Sequence, residues 1–255
     1  MINKKIILNF VNPLNFVLKF FGIKLQKLRP SFNELIPLLI NSERPVIFDV
    51  GANKGQSIVR FRNIFKNSEI HAFEPLPNLY KQIKDNNKFN DIFLVNKALG
   101  RSEGKSELYL NNLGNYGAMS SFKKLDKTSA YVEEYKRINK NWNEINDNSI
   151  PVKITTLDKY VKSNQINSID YLKIDVQGWE SEVLRGASES LKKGIIKNIE
   201  LEFIIAQAYN GNVSFSDFDK ILFKNKYKLI AINNYGDTIN NKNLSIDLIY
   251  TKEKA

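Results

Sequence analysis

The sequence predicts an α/β fold: a mostly parallel sheet with helices on both faces and an antiparallel hairpin at its C-terminal end. Three observations carry this. Val46-Ile47-Phe48-Asp49-Val50-Gly51-Ala52-Asn53-Lys54-Gly55-Gln56-Ser57 runs from an apolar stretch through an acid and two glycines into an amphipathic segment. That order reads as a buried parallel strand, a tight turn and a helix N-terminus. After Pro45, short apolar runs alternate with helical stretches, as in a parallel sheet flanked by helices. The chain then closes with Tyr227–Ile232 and Ser245–Tyr250, joined by a polar, Asn-Gly-rich connection without a helix.

The first strand is Val46–Val50, the second Glu69–Phe73 and the third Ile92–Val95, separated by helices near Gln56–Phe65 and Pro77–Asn87. Tyr171–Asp175 reads as another central strand, followed by a helix from about Trp179 to Lys193 and a strand at Ile199–Phe203. Ser214 with Asp217 has the spacing of a capping box opening a further helix. Residues 1–44 form an N-terminal helical segment and residues 45–255 the α/β domain. A polar, Asn-rich segment at about 111–150 carries Tyr116, Phe122, Tyr131, Tyr135 and Trp142. It is too long for a simple connector and reads as a lid or an added specificity subdomain.

At 255 residues the chain fits one such domain with a small appendage. The absence of cysteine excludes disulfides, thiolate nucleophiles and thiolate metal sites, and leans toward a cytoplasmic location. A single histidine excludes multi-histidine zinc sites. The net charge of +11 comes from scattered lysines in a chain rich in Asn, Lys and Ile, without a basic-aromatic groove motif, so no nucleic-acid partner is predicted. Ile6 to Leu28 is apolar but broken by Pro13, Lys19 and Lys24, which fits neither a signal peptide nor a bilayer span. Leu14, Val17, Leu18, Phe21, Leu25 and Leu28 recur at helical spacing beside lysines. Packing on the domain or a homo-oligomer partner is one reading; peripheral contact with anionic lipid at the inner membrane face is the other.

The turn at Gly51 lacks the Gly-Lys-Ser/Thr of a phosphate loop, and the third glycine of a dinucleotide site is missing. Glu74 lies 23 residues after Gly51, at the end of the second strand, where a carboxylate can accept both hydroxyls of an adenosine ribose. Asp49, just before the turn, favours a cationic ligand over a pyrophosphate. S-adenosylmethionine, with its ammonium and sulfonium, meets both requirements.

Four segments occur in one order: Asp49–Gly55, Phe73-Glu74-Pro75-Leu76-Pro77, Asn96-Lys97-Ala98-Leu99-Gly100 and Leu172-Lys173-Ile174-Asp175-Val176-Gln177-Gly178. Together they resemble the FkbM-type family of S-adenosylmethionine-dependent methyltransferases over roughly Val46 to Phe203. The resemblance implies a class I, Rossmann-like enzyme that methylates hydroxyls of sugars, polyketides or other secondary metabolites. It implies that Asp49, Gly51, Asn53 and Gly55 line the methionine end of the cofactor. Glu74 is implied to grip the ribose, and Asn96, Lys97 and Ala98 to border the adenine; Ala52, Ser57 and Pro75, in or next to the same motifs, are further cofactor-binding candidates. Two departures are Gln177, where the family commonly has Glu, and Trp179, where a small residue is frequent. The class I ending matches the predicted closing hairpin.

Asp175 ends a central strand, where open α/β sheets place ligands. It is the first candidate for orienting or deprotonating the acceptor hydroxyl, and also a candidate cofactor contact. Lys173 shares its face, and a buried ammonium needs a carboxylate partner, for which Glu202 is a candidate. Glu202 is the second catalytic candidate, with a structural ion pair as the alternative. His71, inside a strand, reads as a buried or edge-bonded residue. Asp175, Glu202 and Asp158 could form an all-oxygen magnesium site, but no spacing requires it and no metal is predicted. The predicted activity is O-methylation of a sugar or nucleotide-sugar in surface polysaccharide or glycoconjugate assembly. A protein or secondary-metabolite methyltransferase, a silent cofactor-binding module and a nicotinamide dehydrogenase are the alternatives.

Overall fold

The computed structural model describes residues 30–86, 92–110, 119–138, 148–211, 214–233 and 245–253, with the pairs 238–239 and 242–243. The N-terminal apolar residues Leu14 to Leu28 lie outside these, as do Tyr116, Trp142 and the side chain of Tyr135. The chain divides into two units, Met1–Leu35 and Ile36–Ala255. In the first, Ser31 and Glu34 form a reciprocal cap: Glu34 Oε2 accepts from Ser31 N and Oγ at 2.8 Å each, and Ser31 Oγ accepts from Glu34 N. This cap opens helix α1 (Phe32–Leu39). No helix among the described residues is long and apolar enough to cross a membrane.

The second unit is built on β1 (Val46–Val50), β2 (Glu69–Phe73) and β3 (Ile92–Val95), linked by α2 (Gln56–Ile64) and α3 (Pro77–Lys84). A short strand β4 (Ala98–Leu99), β5 (Gly104–Tyr109), α4 (Ala130–Ile138), β6 (Ser149–Thr155) and α5 (Leu157–Ser163) follow. The main sheet resumes with β7 (Tyr171–Ile174), then α6 (Glu180–Arg185), α7 (Ser188–Lys193) and β8 (Asn198–Ile204). Then come α8 (Phe215–Lys224), β9 (Tyr227–Asn233), β10 (Thr238–Ile239), β11 (Lys242–Asn243) and β12 (Ser245–Lys252). The main sheet has the order β3-β2-β1-β7-β8-β12-β9. Its first five strands are parallel, and β12 runs antiparallel to both β8 and β9. The sheet is the predicted class I arrangement. The closing pair is antiparallel as expected, but β12 is inserted between β8 and β9, which leaves β9 at the edge.

Apolar residues from both layers fill the core. Phe48, Leu172, Leu201 and Leu248 of the sheet pack with Leu184 of α6, Leu191 of α7 and Phe218 of α8. On the other face Phe61 of α2 stands edge-on to Tyr171, ring centroids 5.7 Å apart. The predicted helix from Trp179 to Lys193 is two helices. The break falls at Gly186 and Ala187, and only glycine fits at 186, because a Cβ there would lie 2.0 Å from the Gly100 carbonyl oxygen. The capping box at Ser214 and Asp217 is present.

Sequence periodicity did not show the second sheet, β4-β6-β5. Its strands come from both sides of the Asn-rich segment, and β5 pairs antiparallel with β6 over a long separation. Ser121 adds to it by exchanging backbone hydrogen bonds with Tyr109. Leu108 and Val152 then bury against Leu76 and Leu79, with Phe122 packed beside them. This attaches the small sheet to α3 and sets a wall above one end of the main sheet.

Candidate functional site

A cleft of about 310 Å³ opens beyond the C-terminal ends of β1 and β7, large enough for a small-molecule cofactor. The chain leaves β1 toward β2 and β3 on one side, whereas β7 and β8 lie on the other, so the loops part at this switch point. Gly51 has φ +88°, and a Cβ there would sit 2.0 Å from the Asp175 carbonyl oxygen. Only glycine lets the β1 turn approach the β7 exit loop so closely. Asn53 follows at φ +51°, a left-handed position that Asn tolerates. Its buried Oδ1 has no hydrogen-bond partner among the described residues.

Glu74 is 4 % exposed on the cleft wall. Its Oε2 accepts from Asn53 N at 2.7 Å and its Oε1 from Leu76 N at 2.9 Å. Burial pushes its carboxyl up to about 7, against the lowering effect of those two donors. Asp175 lies just past β7, with its side chain 38 % exposed. Burial raises its carboxyl, but the Lys173 ammonium and the hydrogen bonds from Lys173 and Gln177 outweigh that and hold it below its ordinary range. Lys173 Nζ donates to Asp175 Oδ2 at 3.0 Å. The parallel register aligns Asp49, Lys173 and Glu200 in one row.

Chemical character changes along the cleft. Lys173, Asp175 and the Gly51 turn form a charged, hydrogen-bonding end. Glu74 sits between Asn53 and Leu76. Leu76, Leu99, Leu108, Phe122 and Trp179 give the cleft an apolar slot, in which the Phe122 and Trp179 rings are 4.9 Å apart. A ligand that carries charge, a diol and a flat base fits such a lining.

Of the residues predicted from sequence, Gly51, Ala52, Asn53, Ser57, Glu74, Pro75, Ala98 and Asp175 line the cleft. Asp49, Gly55, Asn96, Lys97 and Glu202 do not. Asp49, expected to meet a cationic ligand, is 0 % exposed beneath the turn. Its two oxygens make no hydrogen bond among the described residues, and its nearest charge is Lys173 Nζ at 3.9 Å. Burial pushes its carboxyl up to about 6 although Lys173 and Arg60 lower it. Gly55 caps the N-terminus of α2. The Asn96 amide donates to the carbonyls of Glu74 and Pro75, at 2.9 and 3.1 Å, so it braces the loop. Lys97 is exposed.

The ion pair expected between Lys173 and Glu202 is absent: Asp175 takes Lys173, and Glu202 Oε2 accepts from Gln177 Nε2 at 2.9 Å. Glu200, from the same face, pairs instead with Arg60 at 2.7 Å and accepts from the Tyr171 hydroxyl at 2.7 Å. Asp158 is far from any such cluster. It accepts from Glu189 N and Ser190 N, both at 2.8 Å, at the start of α7. Among the described residues no three His, Asp or Glu side chains gather to hold a metal ion. His71 is buried, stacked on Phe93 with centroids 4.5 Å apart, and shares hydrogen bonds with Tyr160 and Glu69. Burial lowers its pKa.

Sequence reasoning missed two kinds of residue. Leu108 and Ser120 reach the cleft only through the second sheet, and nothing local marks them. Glu180 had a readable signal, an acid in the first turn of the helix after Gly178. It is 1 % exposed, and its Oε1 accepts from Val176 N and Gly178 N at 3.1 Å each.

The methyltransferase FkbM domain family matches residues 49–229. The chain is 26% identical over 177 residues to the 2-O-methyltransferase NoeI of Sinorhizobium fredii, covering 69% of this chain and 70% of that protein. It is 29% identical over 171 residues to the methyltransferase sdnD of Sordaria araneosa, covering 62% and 66%. Among solved structures, methyltransferase FkbM from Methylobacillus flagellatus KT aligns with a TM-score of 0.45 at 13% identity, over 83% of this chain and 45% of that one.

Proposed function

The chain belongs to the FkbM methyltransferase family, and from that premise we propose that it methylates a hydroxyl of a sugar or nucleotide-sugar. The observation that carries the reading is Asp175, a partly exposed carboxylate that lines the cleft just past β7. The relative whose name specifies 2-O-methyl transfer supports oxygen as the acceptor atom. The sugar is what the family resemblance implies.

S-adenosylmethionine, the family's methyl donor, supplies an electrophilic methyl group on a sulfonium when bound. The residues present fit it. Asn53 Oδ1 is a buried acceptor left unpartnered at the turn, and such atoms call for a ligand or a water. Asn53 and the Gly51 turn would hold the amino-acid end and Glu74 the ribose diol. Leu76, Leu99, Leu108 and Phe122 would enclose the base. Ala98 would border it, whereas Asn96 and Lys97 would act from behind.

Asp175 acts on the acceptor. Its Oδ1 and Oδ2 are each held by a protein donor, Gln177 and Lys173, which leaves lone pairs for an incoming hydroxyl. Accepting that hydrogen bond aligns the oxygen for in-line attack, and proximity of this kind is a large part of a displacement barrier. As the acceptor oxygen takes the methyl carbon, the sulfonium–methyl bond would break with its electron pair left on sulfur as a neutral thioether, and the hydroxyl proton would pass to the Asp175 carboxylate. Because Lys173 keeps Asp175 ionised, its main contribution is orientation and charge, with proton acceptance late in the step.

The test is turnover of labelled S-adenosylmethionine with a panel of nucleotide-sugars, by wild type and Asp175→Asn. At least one sugar is expected to accept the label. The variant is expected to lose about 100-fold or more in kcat, with S-adenosylhomocysteine affinity within about tenfold of wild type. Full turnover by the variant refutes the role of Asp175, and a panel without any product refutes the acceptor.

A further inference from the structure

Gln177 joins two carboxylates. Its Nε2 donates to Asp175 Oδ1 at 3.0 Å and to Glu202 Oε2 at 2.9 Å. Its Oε1 lies 3.0 Å from the Tyr209 hydroxyl, and its carbonyl accepts from Ser121 Oγ at 2.6 Å. The residue is held at φ +56°, with Gly178 at φ +87° behind it. A left-handed conformation at a residue other than glycine costs about 1 kcal/mol or more and persists where the surroundings over-determine it. Here they do, since Glu180 accepts the N–H groups on both sides, from Val176 and Gly178. The strained loop therefore aims one amide between two acids.

We propose that Gln177 is a positioning residue for methyl transfer: its amide occupies the place of a shared proton, fixing Asp175 toward the acceptor and holding Glu202 beside it. The proposal rests on the role given to Asp175 above. An amide nitrogen carries two hydrogens, one for each carboxylate. A carboxyl in its place could donate only when protonated, and then only once.

The surrounding charges sharpen this. Lys173 from β7 and Arg60 from α2 are the cations acting on Asp175. Glu180 from α6 and Asp247 from β12 face Glu202, and Tyr209 completes the enclosure. Asp49 and Glu200 lie along the same row. A further ionised carboxylate at position 177 would meet more acids than bases. Its ionisation is therefore disfavoured in the folded state.

Gln177→Glu and Gln177→Leu in the full chain test this. The first measurement needs no acceptor. The loss of Tm in Gln177→Glu is expected to be at least about 3 °C greater near pH 9 than near pH 6, and to change more over that range than the loss in Gln177→Leu. A loss in Gln177→Glu that is independent of pH overturns the proposal. The second measurement is turnover. Both variants are expected to lose about 10–100-fold in kcat with S-adenosylhomocysteine affinity within about threefold, and Gln177→Glu is expected to recover relative to wild type as the pH falls. Wild-type turnover in Gln177→Leu, or affinity falling in parallel with kcat, overturns it. Failure of wild type to methylate any sugar counts against the acceptor alone, and the pH-dependent unfolding still tests the bridge that Gln177 makes between Asp175 and Glu202.

Discussion

Replacing Glu74 by glutamine separates the charge of this side chain from its shape. The carboxylate spends one acceptor position of each oxygen on the backbone N–H groups of Asn53 and Leu76. An ionised carboxylate offers about four such positions, so about two remain for a ribose diol. Each charge-assisted hydrogen bond contributes about 1.5–3 kcal/mol; glutamine keeps one acceptor position for the diol, so one bond is lost and the other loses its charge, which weakens cofactor binding by about 2–3 kcal/mol, or roughly 30–100-fold. Glutamine also turns its NH₂ toward one of the two backbone donors. The pH dependence follows from a carboxyl raised to about 7 by burial. A diol that donates two hydrogen bonds favours the ionised form, so wild-type affinity declines as pH falls below about 7, by up to tenfold per unit and about 30-fold near pH 5.5.

Glutamine has no proton to lose, and its affinity is expected to be flat over that range. The same raised carboxyl weakens folding as pH climbs from 4.5 to about 7, because the unfolded chain has released a proton that the native state retains. The upper bound on that loss is about 3 kcal/mol, and the variant removes it. Calorimetric titration with S-adenosylhomocysteine near pH 5.5 and pH 8.5 reads the affinity, and denaturant unfolding at the same pH values reads the stability. Two results refute the reasoning. One is a variant binding within about threefold of wild type at the higher pH, and the other is a wild-type affinity that does not change with pH.

Two further outcomes are expected. Gly51→Ala must place a Cβ 2.0 Å from the Asp175 carbonyl at φ +88°. The left-handed conformation alone costs about 1–2 kcal/mol, and relieving the clash displaces Asp175. A Tm lower by about 5–10 °C and S-adenosylhomocysteine affinity at least about 100-fold weaker are expected by thermal melting and calorimetry; wild-type values for both would show that the two loops do not meet. Asp158→Ala removes the acceptor at the start of α7, which receives Glu189 N, Ser190 N and Ser190 Oγ. A loss of about 1–2 kcal/mol is expected in denaturant unfolding, with turnover unchanged with or without magnesium. Lost turnover at unchanged stability would give Asp158 a place in the chemistry.

The parallel half of the sheet and the glycine turn after β1 were legible in the residues alone. Val46–Gly55 and Ile70–Pro75 encode these locally: period, terminal acid and glycine lie within a few residues of one another, and burial on both faces of a parallel strand leaves an apolar run that is hard to mistake. The antiparallel ending was legible from a missing helix, although the insertion of β12 between β8 and β9 was not, since strand order depends on which edges are free when the chain returns. The partners of buried charges were decided only in three dimensions. Lys173, Asp175 and Glu202 can be placed on one face by counting residues in twos. Whether Lys173 meets Asp175 or Glu202 depends on where β7 ends, and it ends at Ile174. That leaves Asp175 free to turn back, and Gln177, in its left-handed bend, takes Glu202. The apolar slot beyond Glu74 likewise needed β5 to find β6 across more than forty residues. No local period records a contact at that separation, because it is stabilised only once Leu108 and Val152 are buried against α3.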